Sequence, residues 1–309
     1  MKSVRTGSLA ALILGTALIA GLSCQPRTQE PSSLADWLAV AAGHEQAKRY
    51  NDAFIAYKQA LALNAQSYEA LYGLAESCWR LADPESGLEW IRQALELKPG
   101  DAQAQGLRGR LRMSSGRLAE GISDMEQALA RDADQVDTQL ALVQAYEFRK
   151  QPAQALARAA AAVQRFPRHA EAHHLYGRLL SQDRQLPEAE QHFREALKLD
   201  PAMAIAKLSL AALLVDQHKD LEGARRLAQE AAAKGDDLGT AAGVAAWALF
   251  LQGSKKEALS ELTKVATDHP RNLAVLVMLK RAAVELDESD LASRVDKVIR
   301  ELTAPPRQP

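Results

Sequence analysis

Between Ala170 and Pro201 the apolar positions fall into two runs, each with helical spacing. Leu175, Tyr176, Leu179 and Leu180 share one face of a first helix, and Ala189, Phe193, Ala196 and Leu197 share one face of a second. Pro187 stands where the second helix should begin, a position at which proline sacrifices no helix hydrogen bond. Pro201 closes the unit, because proline cannot continue a helix interior.

The same pattern returns along most of the chain. Small residues recur at Ala53, Gly87, Gly121, Ala155, Ala189, Ala224, Ala258 and Ala292, in steps of 34 residues except one of 35 after Ala189. A second column runs through Ala60, Ala94, Ala128, Ala162, Ala196, Ala231, Val265 and Ile299. Pro99, Pro167, Pro201 and Pro270 lie on the same grid. Small side chains are required where two helices cross closely, so three columns in phase describe a stack of helix pairs. The period, together with Tyr176-Gly177, Ala189, Phe193, Ala196 and Pro201, resembles the tetratricopeptide repeat (TPR). The resemblance implies an all-α TPR solenoid, a superhelix of about eight antiparallel helix pairs, with units starting near residues 34, 68, 102, 136, 170, 204, 239 and 273. The third unit is the loosest, with Gln105 in place of the family's tryptophan and Arg108, Arg110 and Arg112 crowding its first helix. The sixth carries the extra residue, expected in the turn at Asp216–Asp220. The eighth has Asp296 in the aromatic column and reads as a polar cap ending near Ala304, followed by a frayed tail at 305–309.

Composition fits that reading. The 309 residues are 47% hydrophobic but only 5% aromatic, so the core must be built from alanine and leucine. Net charge is −1, and loss of Lys2 and Arg5 with residues 1–23 would take it to −3, which argues against nucleic acid as a partner.

The first residues read as a targeting segment. Lys2 and Arg5 precede the apolar run Ser8–Leu22, too short for a comfortable membrane span and shaped like a signal peptide. Ala20-Gly21-Leu22-Ser23-Cys24 resembles a bacterial lipobox, although Gly21 replaces the usual leucine. Lipidation is thus expected at Cys24, with residues 24–33 a polar tether. By the same resemblance Gln25 favours the outer membrane, facing the periplasm. An ordinary cleaved signal is the alternative. Cys78 then has no partner for a disulfide and reads as a small core residue.

In TPR solenoids the first helices line a concave groove where partners bind. Helical spacing gathers Tyr72, Glu76, Trp79 and Arg80 on one face in the second unit, and Gln144 and Phe148 in the fourth. The fifth contributes His174 and Arg178, and the seventh Trp247 and Phe250. Aromatic and arginine side chains are favoured binding anchors, and packing against the neighbouring repeat is the other use of the same aromatics. His169 and His173 lie one helical turn apart beside Glu171, but a zinc site needs three or four ligands, so a solvated helix competes with a metal-dependent hydrolase. Arg108–Arg117 reads either as a solvated face or as a contact for an acidic partner.

The expectation is a lipid-anchored scaffold without cofactor or enzymatic activity, binding protein or peptide segments of a bacterial envelope assembly. By resemblance, pilus or secretion machinery comes first, and peptidoglycan or exopolysaccharide machinery second.

Overall fold

The computed structural model describes residues 31–235 and 239–304, so Cys24, the signal segment and the 305–309 tail lie outside the described residues. The described residues form sixteen α-helices and no strand. They are α1 (Leu34–Gln46), α2 (Tyr50–Leu63), α3 (Tyr68–Arg80), α4 (Pro84–Leu97), α5 (Ala102–Ser114), α6 (Leu118–Arg131), α7 (Val136–Phe148) and α8 (Pro152–Arg165). The second half comprises α9 (Ala170–Gln182), α10 (Leu186–Leu199), α11 (Ala204–Asp216), α12 (Leu221–Ala232), α13 (Thr240–Leu251), α14 (Lys255–Asp268), α15 (Leu273–Glu285) and α16 (Ser289–Thr303).

Local chemistry fixes the boundaries. Ser33 opens α1 with a capping box, its hydroxyl accepting from the Asp36 N–H while the Asp36 carboxylate accepts from the Ser33 N–H. Ser67, Asp83, Asp101 and Asn272 accept from the first turns of α3, α4, α5 and α15. The turn inside each unit places one residue in the left-handed region: Lys48, Ala82, Gly116, Lys150, Arg184, His218, Gly253 and Asp287. In the second unit the Asp83 N–H then donates to the Cys78 carbonyl at 2.9 Å and the Ala82 N–H to that of Trp79 at 3.2 Å, a Schellman closure. Only two of those eight left-handed residues are glycine. The sixth unit has four residues between its helices, Gln217–Asp220, where the others have three. Asp220 is also left-handed, at φ 37°, and its carboxylate caps α12 through the Gly223 N–H, so the inserted residue is absorbed without disturbing the stack.

The small-residue column from Ala53 to Ala292 is buried throughout. The second column is buried from Ala60 to Ala231, while Val265 and Ile299 are half-buried. The core is a succession of clusters rather than one centre. The first joins Ala41, Tyr57, Ala60 and Leu74. The largest runs from Leu180 and Phe193 through Trp247 and Phe250 to Leu279 and Val295. Each unit therefore depends mainly on its neighbours. Successive odd-numbered helices touch, α1 to α7 and α9 to α15, while successive even-numbered helices make no comparable contact. The stack accordingly curves with the odd-numbered helices inside.

Two expectations change. The last unit is not a polar cap: Leu273, Val277 and Val284 of α15 are exposed, because no helix among the described residues covers them, and Asp296 is spent on Lys280 and Arg300. The arginines of the third unit are not a free basic face. Arg108 grips Asp124 with two hydrogen bonds, at 2.8 and 2.7 Å, and Arg112 reaches the same carboxylate at 2.9 Å. The Asp124 side chain is only 5% exposed, so both cations answer one buried acid. Among the described residues no helix is long and apolar enough to cross a membrane.

Candidate functional site: the inner face of the odd-numbered helices

The inner face of units two to four is an ion-pair network built around Trp79. The Arg80 and Arg110 guanidiniums each lie 4.3 Å from the Trp79 ring centroid. Arg110 is buried and donates to Glu76 at 3.0 Å, with Asp137 at 3.6 Å. Arg80 reaches Glu76 at 3.1 Å and Asp137 at 3.5 Å. Four charges from α3, α5 and α7 thus neutralise one another across three units. Tyr72 lies against them, and burial, reinforced by Glu76, pushes its hydroxyl up to about 12. Arg178 of α9 makes two hydrogen bonds to Glu147 of α7, at 2.8 and 2.6 Å, tying the fourth unit to the fifth.

Tyr72, Glu76, Trp79 and Arg178 line this face in half-buried positions, with Arg80 and Gln144 exposed. Phe148, at the last turn of α7, is 71% exposed. His174, Trp247 and Phe250 are not on an open surface. Trp247 is 6% exposed, stacked on Phe250 with centroids 4.9 Å apart, and covered by the Arg281 guanidinium at 4.9 Å. α13 is wrapped by α11, α12, α14 and α15, so a side chain on its nominal groove face meets protein rather than solvent. Arg110 was missed as a site residue because its exposure depends on where Trp79 and Glu76 fall, one repeat away.

The histidine cluster is packing, not a solvated helix. His169 lies outside α9 as its N-cap, its Nδ1 accepting from the Ala172 N–H. His173 is buried, with Nε2 3.1 Å from the Pro167 carbonyl and Nδ1 3.0 Å from His192 Nδ1. A carbonyl only accepts, so His173 carries its proton on Nε2 and His192 Nδ1–H donates to His173 Nδ1. His173 is thereby engaged at both nitrogens, and among the described residues no three metal-ligating side chains converge. His174 contacts Ser209 of α11 at 3.0 Å. Burial first, then the nearby Arg178 charge, lower its imidazole to about 4 from 6.5. The folded state therefore favours the neutral ring. That contribution is complete above pH 6.5 and is lost as pH falls towards 4, on the order of 2–3 kcal/mol. Urea melts across that range should lose less stability in His174→Gln than in the parent.

Two models of the tetratricopeptide repeat match the chain, one at residues 45–111 and 112–179, the other at 170–202. The chain belongs to the tetratricopeptide repeat family. Solved structures of similar fold include the APC/C hetero-tetramer Cut9-Hcn1, at TM-score 0.67 and 12% identity, covering 88% of this chain and 53% of that one. Another is a TPR protein from Parabacteroides merdae, at TM-score 0.58 and 19% identity, covering 78% and 95%. A DnaJ homolog subfamily C member 7 homolog of Schizosaccharomyces pombe is 27% identical across 87% of this chain, which spans 58% of that protein's length. TPR folds bind protein or peptide partners and typically serve as non-enzymatic scaffolds for protein–protein interaction, and this TPR chain has that architecture.

Proposed function

We propose that this TPR protein holds segments of other proteins along its inner face, as a lipid-anchored scaffold in a bacterial envelope assembly. Pilus or secretion machinery is the favoured setting. The observation that carries the scaffold reading is Phe148: a large apolar side chain, 71% exposed, beside Gln144 on the inner face, while Trp79 is half-buried and Trp247 buried. Large aromatics desolvated by a partner are the usual centres of binding energy. The anchor rests on Leu22-Ser23-Cys24, and acyl chains there would hold the solenoid at a membrane surface.

A photo-crosslinking amino acid at Phe148 should capture an envelope partner in cells, and the same group at Glu222, on α12, should not. Equal capture from both positions would place recognition elsewhere. Metabolic palmitate labelling should mark the parent and not Cys24→Ser; an unlabelled parent removes the anchor while leaving the scaffold intact.

A further inference from the structure

Grooves between successive even-numbered helices run along the outer side of the stack. Between α4 and α6 the lining includes Glu89, Arg92, Glu96 and Arg117. Beside α10 it includes Glu190, Arg194, Glu195 and Lys198. Between α12 and α14 it includes Gln229, Glu261, Lys264 and Asp268. The last groove is different. It encloses about 210 Å³ between α14 and α16, above Leu276 and Leu279 of α15. Its α16 wall is Leu291, Val295 and Val298 with Arg294 at the rim, and its α14 wall is Thr263, Ala266 and Thr267. In six of the seven earlier units the position of Val298 is polar: Gln59, Gln93, Gln127, Glu195, Glu230 and Lys264. Val298 is 36% exposed, and Leu302, one turn further on, is 41% exposed.

Leu291, Val295, Val298 and Leu302 follow one another at steps of four, three and four, the spacing of a seam between two helices. One flank of that seam, Ala292 and Ile299, packs into the solenoid. The other flank carries Arg294 and Glu301, two turns or about 10 Å apart. Both are exposed, and neither makes an ion pair among the described residues.

We propose that the occupant of the α14–α16 groove is a second copy of this chain, with the two α16 helices antiparallel about a two-fold axis. Leu291 then meets Leu302 of the second copy and Val295 meets Val298, each contact being made twice. The reversed direction also brings Arg294 to Glu301 of the second copy, and Glu301 to its Arg294. A parallel pairing would turn the charged flank of one copy towards the buried flank of the other and leave both charges unmatched. Other charges stand clear of the seam. Glu261, Lys264 and Asp268 of α14 line the groove on its far side, and Arg300 is paired with Asp296. Asp290 and Lys297 lie further round α16, away from the seam. Lys256, exposed in the first turn of α14, stands at the end of the groove to which Glu301 of the second copy comes. A foreign helix would need the same apolar steps and the same charges in reversed order, which α16 itself supplies. The pairing leaves the inner face free and does not depend on what binds there.

Light scattering of the full chain over a concentration series should show a monomer–dimer equilibrium. Val298→Asp should weaken association about tenfold or more, because it puts a charge into the apolar seam twice. Arg294→Glu and Glu301→Arg should each weaken it about tenfold, by setting like charges together at two symmetry-related places. The double variant Arg294→Glu with Glu301→Arg should recover most of the parental association, since the pairs re-form in the opposite order. Val277→Asp, on the exposed face of α15, should leave association unchanged. Thermal melts taken below the association range should match the parent for every variant, since the replaced side chains are exposed. A chain that stays monomeric at the highest concentration reached overturns the proposal. A dimer that ignores Val298→Asp and dissociates with Val277→Asp also overturns it, and moves the contact to the open end of the stack. If both single reversals weaken the dimer and the double variant does not recover it, the antiparallel pairing is wrong.

Discussion

Replacing Trp247 by alanine should cost about 3–5 kcal/mol of stability, the range for a large buried aromatic truncated in a core. Its indole is 6% exposed, stacked on Phe250 and capped by Arg281. It belongs to the cluster that joins units five to eight, so the alanine leaves a cavity where α11, α13 and α15 meet. The damage should be local, because repeats are stabilised mainly by their neighbours. Hydrogen exchange should accelerate in α13 to α15 and remain near parental in α1 to α4. Phe148→Ala is the contrast: at 71% exposure it should alter stability by no more than about 0.5 kcal/mol. Urea melts of the two variants settle the assignment, and a Trp247→Ala protein as stable as the parent would contradict the packing described for α13.

Gly109→Leu should cost about 3 kcal/mol, at the upper end for overpacking. A Cβ placed at Gly109 lies 2.8 Å from the Gly121 carbonyl oxygen and 3.0 Å from the Met125 backbone nitrogen. A Cβ at Gly121 meets the Gly109 carbonyl oxygen at 2.7 Å. Met125 Cγ lies closer still, at 2.6 Å, but α5 and α6 also touch backbone to backbone, and a shift of the Met125 side chain does not relieve those two backbone contacts. A leucine must push the helices apart, opening the contacts of Leu111 and Met125 that the third unit buries. Gly43 in α1 gives the opposite case, since nothing lies within 4 Å of an added Cβ. Gly43→Ala should therefore stabilise by about 0.5–1 kcal/mol through helix propensity alone. Paired chemical melts of the two variants check both signs, and a neutral Gly109→Leu would mean that α5 and α6 do not cross where the structure has them.

The sequence by itself determined the repeat: its period, the alternation of helices, and the positions where only small side chains fit. These are consequences of one-dimensional periodicity, because a helix that must cross its neighbour closely every 34 residues needs alanine or glycine at that step. It also determined where the irregular step falls, since a longer interval between two columns can be absorbed only in a turn, here Gln217–Asp220. Tertiary structure decided which inward-facing side chains remain accessible. Trp79, Phe148 and Trp247 are all large aromatics in the second halves of first helices, yet Phe148 is exposed, Trp79 half-buried and Trp247 buried. The difference lies in other units: Arg110 from the next repeat packs on Trp79, Arg281 from the last repeat covers Trp247, and among the described residues no cation packs on the Phe148 ring. The same holds for charge. Arg110 and Arg178 read as free cations along the chain, and they become neutral partners only because the superhelix brings Glu76 and Glu147 to them from the preceding unit. Exposure and net charge on a solenoid face are properties of neighbouring repeats in contact, and helical spacing within one repeat does not contain them.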